Sequence, residues 1–265
     1  MGLSRIGVRM VLAGTAALGL LTVLPPVTAN AAAGDTGYDI SYPQCSGSSV
    51  GSTPASTGAF DILGVNDGIV YSANPCLAAQ YKWATGATVS FYANTADPGP
   101  SSSHWPKGQT RNGVLCPNQK RYTIGSTAYN NCSYVYGWNA AQDSFNDASK
   151  AAGSSAAVSA QWWLDVESAN SWTRSTTANI ADIQGGLDYF SKNSAAGGGI
   201  YTNSSSWSSI TGSTTSFSQY PWWYPTGQGS ATTAISDCSA RSILGGHIRY
   251  TQYSSNGFDT DYDCG

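Results

Sequence analysis

The stretch Gln161-Trp162-Trp163-Leu164-Asp165-Val166-Glu167-Ser168 decides the reading of this chain. Aromatic and aliphatic residues fill it, and Ser154, Ser155, Ser168 and Asn170 bound it, which is the pattern of a buried strand. Side chains alternate faces along a strand, so Trp163, Asp165 and Glu167 share one face and Trp162, Leu164 and Val166 the other. The two carboxylates then stand about two strand rises apart, roughly 6.6 Å at the backbone. Burial and a neighbouring negative charge both raise a carboxyl pKa, so such a pair can retain a proton near neutral pH, as a general acid must. Glu167 is the single Glu among fifteen acidic residues. For an isolated Asp-x-Glu, a strand end whose acids simply meet solvent is the common alternative, so the rest of the chain has to decide.

Residues 1–33 read as a secretory leader. Arg5 and Arg9 precede an apolar run over 11–23, and Ala29-Asn30-Ala31 and Ala31-Ala32-Ala33 offer small-residue cleavage sites. The run is too short for a membrane anchor. The expected mature domain spans 34–265 and is large enough for one full core. Losing Arg5 and Arg9 leaves ten basic side chains against fifteen acidic ones, a net charge of −5. That balance argues against nucleic-acid binding and against attraction to anionic lipid. Low charge with abundant Ser, Thr, Asn, Gly and aromatic residues suits neutral polar ligands such as sugars. A secreted, extracellular monomer without cofactor is expected. Six cysteines in an exported chain imply three disulfides among fifteen possible pairings. Neighbouring segments suggest Cys45–Cys76, Cys116–Cys132 and Cys238–Cys264. Two histidines, His104 and His247, at no metal-ligand spacing disfavour a zinc site or a Ser-His-Asp hydrolase.

Strands are expected at 38–42, 60–65, 88–92, 200–201, 221–224 and 247–253. A helix is expected from an N-cap at Asn74, with Pro75 at its first position, to Gly86. Residues 94–133 form a long irregular excursion that Cys116 and Cys132 could brace. Trp138, Ala141, Phe145, Ala148 and Ala152 mark a helix closed by Gly153. Ile180, Ile183, Leu187 and Phe190 mark another, weakened by Gly185 and Gly186. Alternating strands and helices followed by strands predict an α/β fold, a TIM-like barrel. Functional groups in such barrels gather at the C-terminal strand ends. Asp39, the pair Asp165 and Glu167, and Asp259, Asp261 and Asp263 just after the last strand then converge. With Tyr42, Tyr92, Trp163, Tyr201, Trp223 and Tyr253 as candidate sugar-binding aromatics, they describe a glycosidase cleft. Core packing is the competing role for most of the tryptophans. The alternate acids of 259–263 also resemble the opening of a calcium loop, although the chain stops before a twelfth-position Glu, and no metal site is expected.

Several segments resemble, in order, those of the glycoside hydrolase family 25 lysozymes, and of secreted actinobacterial proteins related to them. Gly37-Tyr38-Asp39-Ile40-Ser41-Tyr42-Pro43-Gln44 is similar to the opening Gly-x-Asp-x-Ser-x-x-Gln. Leu164-Asp165-Val166-Glu167 resembles the Asp-x-Glu strand. Gly199-Ile200-Tyr201-Thr202-Asn203 with Trp207, then Trp222-Trp223-Tyr224, then Gln252-Tyr253 through Asp261 resemble the later motifs. The resemblance implies a modified barrel of roughly five β/α units followed by β-strands. It implies cleavage of β-1,4 bonds in peptidoglycan, with Glu167 as acid, Asp165 as its stabilising or nucleophile-like partner, and Asp39 and Asp261 completing an acidic wall. Val65-Asn66-Asp67-Gly68 stands where the family has Lys-Ala-Thr-Glu-Gly, and Phe91-Tyr92-Ala93-Asn94 where its third strand carries Tyr-His. A carbohydrate-binding or cell-surface protein that keeps the barrel without turnover is the second reading. A calcium-stabilised extracellular structural protein is the third.

Overall fold

The computed structural model describes residues 31–227, 229–239, 243 and 245–265. The expected leader falls, up to residue 30, outside the described residues. Eight strands close a barrel: β1 (Thr36–Ile40), β2 (Phe60–Gly64), β3 (Thr88–Asn94), β4 (Trp162–Asp165), β5 (Gly198–Tyr201), β6 (Trp222–Pro225), β7 (Ile248–Ser255) and β8 (Phe258–Asp263). Each strand pairs with its neighbours in sequence, and β8 closes on β1. β1 through β7 run parallel, whereas β8 is antiparallel to both β7 and β1. Five strand–helix units fill the middle: α1 (Leu77–Trp83) follows β2, α2 (Thr127–Ala152) with the short α3 (Ser154–Ser159) follows β3, and α4 (Thr176–Asn193) follows β4. α5 (Ser204–Thr211) follows β5, and α6 (Ala231–Asp237) follows β6. The α/β, TIM-like architecture expected from sequence is therefore present. β1 leads into a 3-10 turn, Tyr42–Gln44, and a short antiparallel hairpin of Cys45–Ser46 with Ser49–Val50 in place of a helix, and the chain ends in strands.

The largest correction concerns the C-terminus. Residues 259–263 are not a loop after the last strand; they are the last strand. Ser255 pairs with Phe258, leaving a two-residue turn of Asn256 (φ 53) and Gly257 (φ 80). Asn-Gly with both φ positive is the turn whose twist suits a two-residue hairpin, so the dipeptide itself carries the signal.

Helix boundaries follow local chemistry. Ser126 accepts a hydrogen bond from Tyr129 N and starts α2 well before the apolar stripe that revealed it, and Gly153 ends it at φ 95. Ser175 caps α4 through Ala178 N. α1 begins at Leu77 and ends at Trp83, with Cys76 rather than Asn74 as its cap. Asn74 nevertheless makes the expected capping bond, its Oδ1 accepting from Cys76 N at 3.1 Å across the turn that precedes the helix. Its Nδ2 donates to Gly64 O and Gln80 Oε1, both at 2.7 Å, bracketing the end of β2 against the helix. Gly185 weakens α4 by propensity, but packing requires it. A Cβ there would lie 2.0 Å from Tyr134 O, and one on Gly137 would lie 2.0 Å from Asp182 O. α2 and α4 thus meet backbone to backbone. All three disulfides pair as expected: Cys45–Cys76, Cys116–Cys132 and Cys238–Cys264.

The alternation along β4 divides two cores. Trp163 fills the barrel interior with Phe60, Ile62, Trp223 and Tyr250. Trp162, Leu164 and Val166 pack outward against the helices, where Trp162 stacks on Phe190 at 4.6 Å. Interior glycines make room for interior rings. Cβ atoms on Gly37, Gly64 and Gly199 would fall within 2.7 Å of atoms of Phe60, Tyr92 and Trp163 respectively. Gly198 and Gly199 are therefore part of β5 and not only the break before it.

Candidate active site

The C-terminal ends of the parallel strands surround a cleft of about 150 Å³ lined by Asp39, Tyr92, Asp165, Glu167, Tyr201, Trp223, Gln252 and Asp259. Six of the seven parallel strands contribute to or lead into it, together with β8, whose reversed direction brings Asp259 to the mouth.

β4 ends at Asp165, and Glu167 stands just beyond it, a shorter strand than expected. Val166 N still bonds Tyr201 O, and Thr202 Oγ1 donates to Val166 O at 2.7 Å. The Glu167 carbonyl accepts from Trp172 Nε1 at 2.8 Å and from Asn170 N. These bonds fix the backbone on either side of a half-buried carboxylate at the rim. Asp165 is 7 % exposed. Its Oδ2 accepts from Asn94 Nδ2 at 2.9 Å, and its Oδ1 faces no protein donor. Burial raises the Asp165 pKa well above the usual carboxylate range, and the charges of Glu167 and Asp39 raise it further. Burial also raises Glu167. Two interacting carboxyls of this kind titrate as a unit and retain one proton after ordinary acids have lost theirs.

Across the mouth, Asp39 Oδ2 accepts from Gln252 Nε2 at 2.9 Å, and Gln252 Oε1 accepts from Tyr201 OH at 2.9 Å. Burial, then the Asp259 charge, push Asp39 to about 7, while hydrogen bonds from Gln252 and with Asp261 work in the opposite sense. Asp261 lies below the cleft and is fully buried. It accepts from Trp223 Nε1 at 2.7 Å. It therefore supports the acidic wall from beneath and does not line it.

The predicted aromatics divide. Tyr92, Tyr201 and Trp223 line the cleft. Trp163 is fully buried under its floor, packed against Trp223 and Tyr250, so it is core and offers no face to a ligand. Tyr42 is 43 % exposed; its ring lies over Gly68, outside the cleft lining. Tyr253 alternates with the inward Gln252 along β7 and so faces out of the barrel. Asp259, expected in the converging acidic cluster, does line the cleft, whereas Asn94 and Gln252 were not among the predicted site residues. Each of these two sits two positions from an inward residue on its strand (Tyr92 and Tyr250), so period-two reading would have found them.

The replaced family positions are rebuilt into this frame. Buried Asn66 accepts from Asn94 N at 2.8 Å and donates to Ser72 O at 3.0 Å, bracing the residue that holds Asp165. The acids of β8 extend from the mouth (Asp259) to the base, where Asp263 pairs with Arg249 at 2.6 Å. An extended strand separates them, which removes the calcium-loop reading. Among the described residues no group of three or more His, Cys, Asp or Glu is placed to hold a metal ion. Nor is any described helix long and apolar enough to cross a membrane.

A family model described as lysozyme-like protein 1 matches residues 116–239, less than half of the chain but including Asp165 and Glu167. The fold is shared with several solved structures. A bacterial lysozyme from Streptomyces coelicolor is 19 % identical, with 88 % of this chain and 93 % of that chain covered and a TM-score of 0.54. A muramidase from Acremonium alcalophilum is 17 % identical over 87 % and 93 %, with a TM-score of 0.53. A family GH25 lysozyme from Aspergillus fumigatus is 15 % identical over 87 % and 94 %, with a TM-score of 0.52. A search of curated proteins found no match.

Proposed function

We propose that this chain is a secreted glycoside hydrolase that cleaves β-1,4 bonds in peptidoglycan, a muramidase. The observation that carries the reading is the paired Asp165 and Glu167 at the mouth of a barrel that muramidases share, opposite Asp39 and beside the rings of Tyr92, Tyr201 and Trp223. Burial favours the shared proton on Asp165 in the free protein. Glu167, the more exposed member of the pair, is the one that reaches substrate, so the proton passes from Asp165 to Glu167 and from Glu167 to the leaving glycosidic oxygen. Asp165, held by Asn94, then carries the negative charge that supports the oxocarbenium-like state. Cleft rings supply flat apolar surface to the sugar, and the leader over 1–33 takes the protein to its extracellular substrate.

The raised acids set the direction of the pH dependence. Turnover requires the pair to hold one proton, so the rate declines as pH rises and that proton is lost. Release of reducing ends from purified peptidoglycan tests the reading, with wild type and Glu167→Gln compared side by side. Gln preserves shape and removes the proton, so a loss of about 10² to 10⁴-fold is expected. Turnover retained by Glu167→Gln would refute Glu167 as the acid. A folded wild type that releases nothing would refute the enzyme reading in favour of a glycan-binding barrel.

A further inference from the structure

Asp261 has a hydrogen-bonding problem that only a proton solves. It is fully buried on β8, paired in register with Gly37 on one side and Gln252 on the other. Oδ1 is satisfied by the Trp223 indole at 2.7 Å. Oδ2 is buried and has no hydrogen-bond partner. Asp39, two residues along the adjacent strand β1 from the residue paired with Asp261, is the neighbouring carboxyl, and after burial itself its charge is what raises the Asp261 pKa. Two carboxylate oxygens repel each other, so their contact is favourable only with a proton between them.

The surroundings say which of the two carries it. The groups around the pair are acidic or neutral: Asp259 on β8, Asp165 and Glu167 at the end of β4, Trp223 on β6, and the hydroxyls of Tyr92 on β3, Tyr201 on β5 and Tyr250 on β7. The ion pairs among the described residues, Lys150–Asp147 and Arg249–Asp263, lie elsewhere. Each carboxyl also receives one neutral N–H, from Gln252 for Asp39 and from Trp223 for Asp261. Solvent therefore decides: Asp39 opens onto the cleft, and Asp261 does not. Charge is cheaper at Asp39. The Gln252 amide agrees, because its oxygen takes the Tyr201 hydroxyl and its nitrogen is left to face Asp39. Donors converge on Asp39 from two sides.

We propose that Asp261 is a neutral carboxylic acid that donates its proton to Asp39, and that it acts as a positioning residue for the Asp39 carboxylate and not as an anion of the acidic wall. Trp223 orients Asp261, Asp261 and Gln252 clamp Asp39, and the remaining lone pairs of Asp39 are directed into the cleft. This deepens the proposed hydrolase reading and rests on it for the role of Asp39 toward substrate. The protonation of Asp261 stands apart from that reading.

The test has two arms. In the first, protein labelled with ¹³C at the Asp side-chain carboxyls is titrated by NMR from about pH 5 to pH 8, where an ordinary Asp is ionised. One resonance that keeps the shift of a protonated acid throughout must disappear in Asp261→Asn; buried Asp165 and Asp182 can give others, so the variant makes the assignment. The absence of any such resonance that the substitution removes would overturn the proposal. In the second arm, Asp261→Asn and Asp261→Leu are compared for kcat/KM on peptidoglycan. The Asn amide still donates to Asp39 and still accepts from Trp223, so its loss stays within about tenfold, whereas Leu, which offers no donor, costs about tenfold to hundredfold beyond that. A loss in Asp261→Asn equal to that in Asp261→Leu would mean that the negative charge is needed, and would overturn the proposal. If wild type proves inactive on peptidoglycan, the hydrolase reading fails while the NMR arm still decides the protonation of Asp261.

Discussion

Gly199→Ala isolates the packing that places the candidate site. Gly199 lies on β5 and faces the barrel interior, where an added Cβ would sit 2.5 and 2.7 Å from two ring carbons of Trp163 and 2.9 Å from Pro221 O. Carbons pack at about 3.5–4.0 Å, so the indole must retreat by about 1 Å. Its retreat is blocked: Tyr250 and Trp223 stand at ring-centroid distances of 5.4 and 6.0 Å. Overpacking of a closed core costs about 1–3 kcal/mol, and the rigidity of this one puts the expectation near the upper end, about 3 kcal/mol. For a domain of this size that lowers Tm by about 6–12 °C. Gly198→Ala is the internal control. Its Cβ points the other way, 3.0 Å from Leu187 Cδ2 and 3.4 Å from Phe190 Cβ, and a Leu terminus can rotate aside, so a loss of about 1 kcal/mol or less is expected. Neither glycine has a positive φ, so Ala is allowed at both and the contrast reports contacts alone. Thermal and urea melts of the two variants, followed by near-ultraviolet circular dichroism of the buried tryptophans, measure it. A Gly199→Ala protein as stable as wild type, or a Gly198→Ala protein that loses more, would refute the claim that interior glycines are cut to fit interior rings.

Replacing Cys116 and Cys132 together by Ser opens a loop with a sequence separation of 16, and the chain-entropy relation gives a stability loss of about 3 kcal/mol. A urea midpoint unchanged from wild type would show that the excursion is held by its other contacts. Asp61 is fully buried on the outer face of β2, its Oδ1 accepts from Gly58 N at 3.1 Å, its Oδ2 has no partner, and burial raises its pKa from 3.8 to about 7. The folded state thus binds this proton more tightly than the unfolded state, so the contribution is present in full below about pH 4 and is lost as pH rises through about 7. Asp61→Asn keeps the Gly58 bond and cannot ionise, and urea midpoints measured from acid to neutral pH should fall less steeply than those of wild type; an identical slope would show that Asp61 is not its source.

The barrel was legible because its strongest signals are local. The alternation of Trp162 through Val166 correctly divided interior from exterior, and the cysteines on neighbouring segments paired as read. Starts and stops were less legible. Asn74 caps as read, its oxygen taking Cys76 N, but the regular helix starts only at Leu77, and the amide nitrogen is used by Gly64 O and Gln80, a tertiary demand that no local pattern announces. Gly185 looked like a weakness because the cost of glycine is visible along one helix, whereas its benefit lies in the contact with Tyr134 O on another. Trp163 was read as a sugar platform because it shares a face with Asp165. Sharing a face fixes direction but not depth, and two residues down a strand is the difference between the mouth and the core.

Depth also explains the acids of the last strand. On a parallel strand the chain climbs toward the mouth, so the later of two inward residues is the nearer to substrate: Asp165 lies above Trp163, Gln252 above Tyr250, and Asn94 above Tyr92. β8 descends, and the order inverts. In Asp259-Thr260-Asp261-Tyr262-Asp263 the first acid reaches the cleft, the second lies beneath it, and the third meets Arg249 at the base. One period-two pattern thus supplies an exposed charge at the rim, a buried hydrogen-bonding partner for Asp39, and a salt bridge that closes the bottom of the barrel. Reading all three as one acidic cluster required the strand to run the other way or not to exist. The two residues that decide the matter are Asn256 and Gly257, because a tight turn there reverses the chain and hands each acid its own environment.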